Sequence, residues 1–177
     1  MRRLFDYRSV PRAQQARILA AMLFGSVLSY LLIVRFVLGV GEVEGNSMVP
    51  TLQDGDRYVV SRLTYRFRDP RPGDLVEIRM KKSDDNVVKR IIALPGDVVH
   101  IRDGDVYVNG TAQTEAYLPP GTETGGKALG GNIFKVSDDA YFVLGDNRAA
   151  SVDSRIFGAV KRDALVGRLW LRLGFSR

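Results

Sequence analysis

From residue 18 to residue 34 the chain reads ILAAMLFGSVLSYLLIV without a charge, and after Arg35 it continues as FVLGV. Inside a lipid bilayer no water is present to take the backbone N–H and C=O groups, so a segment this apolar can lie there only as a helix. Residues 18–40 as a helix would extend about 35 Å at about 1.5 Å per residue, enough to cross with some tilt. Arg35 falls near the end of that span, where its guanidinium can reach headgroup level, and we place it at the far interface. Arg2, Arg3, Arg8, Arg12 and Arg17 precede the run, opposed there only by Asp6. This basic head, residues 1–17, predicts a cytoplasmic N-terminus, with everything after residue 40 carried across the membrane. Two other readings compete: a buried helix of a soluble protein, and a cleavable signal peptide. The run is longer than the apolar region of such a peptide, and Leu38-Gly39-Val40-Gly41 is a weak cleavage site, so a retained anchor is expected.

The formal charge of +6 could suggest nucleic acid, but the head alone carries most of the excess, so no nucleic-acid partner is expected. With no cysteine and one histidine there is no disulfide framework, no thiolate metal site and almost no ligand set for zinc. No cofactor or metal is expected, and the protein is expected to be a monomer.

After residue 41 the texture changes to short β-rich runs punctuated by Gly, Pro and Asp. Residues 56–61, 74–80, 86–94, 97–102, 105–108 and 141–144 read as strands. Arg102-Asp103-Gly104-Asp105 reads as a hairpin turn. In residues 165–173, Leu169, Leu171 and Leu173 alternate with Arg168, Trp170 and Arg172, which predicts a strand with one face for the core. Trp170 and its flanking arginines read equally as an ordinary strand face or as a belt seated at the lipid interface. Residues 111–132, rich in Gly, Thr and Pro, are expected to be a mobile surface excursion. Residues 41–177 are therefore expected to form a mostly β, barrel-like or folded-sheet domain behind a single transmembrane helix.

Within residues 43–52, VEGNSMVPTL, Ser47 sits in a turn between glycine and proline where one hydroxyl is exposed. Such a serine can be a nucleophile if a base takes its proton. A single histidine nearly rules out the usual imidazole, and His100 lies in an alternating strand pattern. Lys89, flanked by Val87, Val88, Ile91 and Ile92, is the alternative, because an apolar setting favours the neutral amine.

Four stretches, VEGNSMVPTL, PGDLVEI at residues 72–78, VVKRIIALPGD at 87–97 and GDNRAASVDSRIFG at 145–158, together resemble the boxes of bacterial type I signal peptidases. The resemblance runs from residue 18 onward and implies an extracytoplasmic, membrane-anchored serine endopeptidase that cuts signal peptides from preproteins after small-x-small motifs. It implies Ser47 as acylating nucleophile and Lys89 as general base, with Ser151 hydrogen-bonding and orienting the amine. Asp146 would pair with Arg90, and Asp153 with Arg155, as charged support; taken alone these would read as surface ion pairs at a turn. The substrate would lie extended between Glu42, Val43, Glu44 and Gly45 on one side and Asp85, Asn86, Val87 and Val88 on the other. Met48 would stand near its pockets, and Pro50 would shape the turn; both read equally well as packing residues. Three positions depart from the pattern: Gly45 has no hydroxyl for the oxyanion, Ala149-Ala150 replaces a polar pair, and Pro72 replaces a basic residue. The same dyad occurs in soluble self-cleaving repressors, for which residues 1–17 are too short to form a DNA-binding head. A catalytically silent β domain that binds exported peptides is the remaining rival.

Overall fold

The computed structural model describes residues 11–80, 85–125 and 132–174. The head before residue 11, the side chain of Arg35, and residues 126–131 of the expected excursion lie outside them. The chain divides into two compact units, one up to Val37 and one from Leu38.

The first unit is a helix, α1 (Arg12–Phe36), preceded by Pro11, whose fixed backbone suits a helix start. Apolar residues occupy every side of it, which separates it from the one-sided stripe of a surface helix. Within Arg12–Ile33 an 18-residue window reaches a mean hydropathy of 1.9, and the segment passes, by length and composition, as a membrane span. The helix starts earlier than residue 18 and ends at Phe36, short of the expected residue 40. Residues 38–40 are instead the start of a strand, β1 (Leu38–Glu42), because its two glycines disfavour helix and its pairing with β2 (Arg57–Ser61) supplies the hydrogen bonds.

The second unit contains two antiparallel sheets. The larger adds β3 (Leu75–Arg79), β4 (Asn86–Ala93), β9 (Ala140–Leu144), β10 (Val160–Lys161) and β11 (Leu165–Leu173), in the order β1-β2-β11-β3-β4-β9-β10. The smaller holds β5 (Val98–Arg102), β6 (Asp105–Val108), β7 (Thr111–Ala112) and β8 (Ile133–Lys135), ordered β7-β6-β5-β8. β5 and β6 meet at the expected hairpin, where Asp103 and Gly104 both take positive φ, 54° and 86°. Two short helices, α2 (Thr64–Phe67) and α3 (Ser154–Phe157), sit between strands.

Strand alternation divides the core. Along β9, Ala140, Phe142 and Leu144 pack with Val99, Ile101 and Val106 of the small sheet, whereas Tyr141 and Val143 pack with Val76, Ile78 and Ile91 of the large one. A third cluster, Val43, Met48, Leu52, Tyr58, Val60, Val88 and Leu169, lies under the segment that joins β1 to β2. The register of β11 shifts between Leu169 and Leu171, and the alternation is lost there. Leu169 is buried as expected, but Leu171 is 56% exposed and Leu173 is also open to solvent, so only the first half of the strand has a core face. Trp170 is 67% exposed. His100 is half-buried on β5, an inner strand of the small sheet, with its ring centroid 6.5 Å from that of Tyr107.

Candidate active site

Ser47 lies in the connection between β1 and β2. Gly45 takes φ 83°, a backbone state that glycine adopts without penalty, and its N–H donates to Asp54 Oδ1 at 2.6 Å. The Leu52 N–H donates to the Met48 carbonyl at 2.9 Å, and Met48 points into the third core cluster at 1% exposure. A second loop, after β9, holds the turn from its other side: the Asn147 N–H donates to the Ser47 carbonyl at 3.0 Å and Asn147 Nδ2 to the Asn46 carbonyl at 3.1 Å.

Lys89 reaches this turn from the middle of β4. Its Nζ donates to Ser47 Oγ at 2.7 Å across 42 residues of chain. The lysine is 3% exposed, and burial, the largest influence, lowers its amine from 10.5 to about 8 against the opposing pull of Asp153 and Asp146. At that value roughly a tenth of the amine is uncharged at pH 7, on the order of a hundredfold more than for an ordinary lysine.

Behind the amine stand buried ion pairs. Arg90 Nε and one terminal nitrogen donate to the two oxygens of Asp146 at 2.8 and 2.6 Å, and Thr51 Oγ1 donates to the same carboxylate. The Arg90 guanidinium lies over the Tyr117 ring, 3.8 Å from its centroid. Arg155 grips Asp153 through two nitrogens, each at 2.8 Å, and Asp153 Oδ2 also accepts the Gly145 N–H. Both expected pairs are thus formed. Ser151 is buried beside the turn, yet its hydroxyl has no hydrogen-bond partner among the described residues, so the expected bond to Lys89 is not made. Gly145 leaves its hydrogen in the only space available: a Cβ there would collide with Ser151 Oγ and come within 2.5 Å of the Ser47 carbonyl.

A groove of about 410 Å³ opens in front of Ser47 and is lined by Glu42, Val43, Glu44, Met48, Asp85, Asn86, Val87 and Val88. Its two sides are open strand edges. β1 ends the large sheet, and β9 covers β4 only from Arg90 onward, leaving the first half of β4 without a partner on that side among the described residues. Two expected substrate contacts are absent from the lining. Gly45 has its N–H turned back to Asp54, and Pro50 faces a separate hollow of about 370 Å³ with Val49, Asn147 and Ala149.

Sequence reasoning passed over several residues of this site. Glu77, one charge inside an apolar strand, is 6% exposed and lines the groove together with Tyr58. Gly41 admits the Tyr58 ring, against which any Cβ would collide. Arg148 holds Glu115, Tyr117 and Thr124 in one buried cluster, and Arg155 donates to the Gly125 carbonyl at 2.9 Å. The first part of the expected mobile excursion is therefore fastened at Glu115, Tyr117, Thr124 and Gly125 to the loop behind the site. Among the described residues, no group of three or more metal-binding side chains comes together.

A family profile described as "Signal peptidase, peptidase S26" matches residues 15–173. The chain is 42% identical over 145 residues to a probable signal peptidase I-2 of Synechocystis sp. (77% of this chain, 63% of the relative). It is 39% identical over 148 residues to signal peptidase I T of Bacillus subtilis (80% and 77%). The fold is similar to the crystal structure of a signal peptidase I from Enterococcus faecalis V583, with a TM-score of 0.51 and 31% identity over 58% of this chain and 98% of that one. The chain spans under two thirds of the length of the Synechocystis relative.

Proposed function

Because the chain belongs to the signal peptidase family, peptidase S26, we propose that it is a membrane-anchored serine endopeptidase that removes signal peptides from exported preproteins. Ser47 is the nucleophile and Lys89 its base. The observation that carries this reading is the 2.7 Å contact between a buried amine and a groove-facing hydroxyl.

The preprotein lies extended in the groove, adding main-chain hydrogen bonds to the edge of β1 and the uncovered half of β4. Neutral Lys89 accepts the Ser47 proton as Oγ attacks the scissile carbonyl carbon, and the backbone N–H of Ser47 is the first donor to the developing oxyanion. Gly45 adds no hydroxyl, so main-chain groups complete that task. The Lys89 ammonium then protonates the departing amine of the mature protein, leaving an acyl-serine. The same amine, neutral again, takes a proton from the water that hydrolyses this ester. Asp146 with Arg90, and Asp153 with Arg155, hold the loops that carry the dyad, and Asn147 holds the Ser47 turn. Substrates with small side chains at the third and first positions before the cut are preferred, because those positions face shallow apolar walls such as Val88 and Met48.

Helix α1 is the anchor, supported by its length and all-round apolar surface. The arginines before it put the N-terminus in the cytoplasm and the β unit outside. The test is cleavage of a preprotein by the detergent-solubilised chain and by its Ser47→Ala and Lys89→Ala variants. Each variant is expected to lose at least a thousandfold in rate. Equal cleavage by all three would dismiss the dyad.

A further inference from the structure

Two carboxylates face the Lys89 amine, Asp153 at the start of α3 and Asp146 from the loop after β9, and both strengthen its hold on a proton. From the other sides, β3 sets Val76 opposite Lys89 and the Ser47 turn brings a hydroxyl. A base that must release its proton is hindered by such carboxylates unless a cation neutralises each of them. Arg155 does this for Asp153 in a pair whose side chains are 2% and 0% exposed. Arg90 does it for Asp146, and this second pair borders the excursion after β6.

The Arg90 guanidinium is planar, and the β unit supplies partners within that plane: both Asp146 oxygens, the Gly73 carbonyl at 3.0 Å and Thr51 Oγ1 at 3.3 Å. Its flat faces can make no hydrogen bond. The Tyr117 ring centroid lies 3.8 Å from the guanidinium carbon, a stacking separation, so the ring covers one face. The ring is held there by its tip. Its hydroxyl donates to Glu115 Oε1 at 2.6 Å and accepts from an Arg148 terminal nitrogen at 3.3 Å, and Arg148 also grips Glu115. Burial, the largest influence, holds that hydroxyl well above the usual tyrosine range, so Tyr117 stays neutral while Lys89 titrates.

We propose that Tyr117 is a positioning residue for the dyad, acting through Arg90: its ring shields the Arg90–Asp146 pair from water and keeps the guanidinium on that carboxylate. This rests on the peptidase reading above. Without the ring, water enters beside the pair and draws Arg90 toward solvent. Asp146 then turns more of its charge on Lys89, and the ammonium is favoured.

The experiment records kcat/KM for one preprotein from about pH 6 to about pH 10. The proteins are the full detergent-solubilised chain, Tyr117→Phe, which keeps the ring, and Tyr117→Leu, which removes it. Tyr117→Leu is expected to move the midpoint of the rise up by about half a pH unit or more, cutting about threefold or more slowly at pH 7 yet near the original rate on the alkaline plateau. Tyr117→Phe is expected to keep the original midpoint. A merely loosened fold would lower the rate at every pH with the midpoint in place, and that result overturns the inference. So does a Tyr117→Phe midpoint displaced as far as that of Tyr117→Leu. Should Tyr117→Leu not fold, Tyr117→Gln, which keeps a polar tip for Arg148, is scored by the same midpoint. If the unaltered chain cuts no preprotein at any pH, the peptidase reading falls and this inference with it.

Discussion

On the proposed reading, Lys89 ties activity and stability to one protonation. With its amine lowered to about 8, cleavage should rise with pH through that value and level off above it, as a pH profile of kcat/KM would record. The stability effect has a definite sign. The unfolded lysine keeps its proton up to 10.5 and the folded one loses it near 8, so the unfolded state binds more protons between those values and stability from this group rises with pH across that window. Below about pH 8 the folded protein carries the full cost of a buried ammonium. Lys89→Met should abolish cleavage yet raise thermal stability at pH 7 by an amount on the order of 2 to 3 kcal/mol, a gain that shrinks as pH approaches 10.5. Thermal melts of both proteins at several pH values check this. Asp146→Ala acts in the other direction: it leaves the Arg90 guanidinium buried without its carboxylate, and denaturant unfolding should show a loss of about 3 to 5 kcal/mol. Gly145→Ala should lower cleavage by roughly a hundredfold, because the new methyl group must displace either Ser151 or the Ser47 carbonyl.

At the level of strands and loops, what could be read from the chain divides by the range of the interactions involved. Strands rich in Val and Ile between Gly, Pro and Asp were locally encoded, and β4, β5, β6 and β9 lie within a residue or two of where the pattern puts them. The pairing of Asp146 with Arg90 was readable only through family resemblance, since 56 residues separate the partners. β1 was missed because its apolar residues continue those of α1; its strand character depends on Tyr58 packing over Gly41, which no local pattern encodes. The excursion after β6 carries the composition of a mobile loop, and it is Arg148, 33 residues beyond Glu115, that fastens it. Arg148→Ala should therefore release residues 111–125, seen as faster amide exchange and easier proteolysis there, and cleavage should fall as the loop behind Ser47 loosens.

At the level of the molecule, the described residues form one apolar helix and a β unit with its own three core clusters, and on the proposed reading the helix supplies placement and the unit chemistry. If α1 is the anchor, the full chain should stay with membranes through an alkaline carbonate wash, and protease added to the outer face should digest the β unit but spare the head. Within that unit, β1 and β2 bond to the rest of their sheet only through β11, which lies between β2 and β3. Ribosomes make β11 after every other strand of that sheet, so the sheet hydrogen bonds between the serine-bearing and the lysine-bearing strands are the last to form. On the proposed reading, a chain gains its cleaving activity only once this last strand has paired, so a form truncated before β11 should leave preproteins uncut.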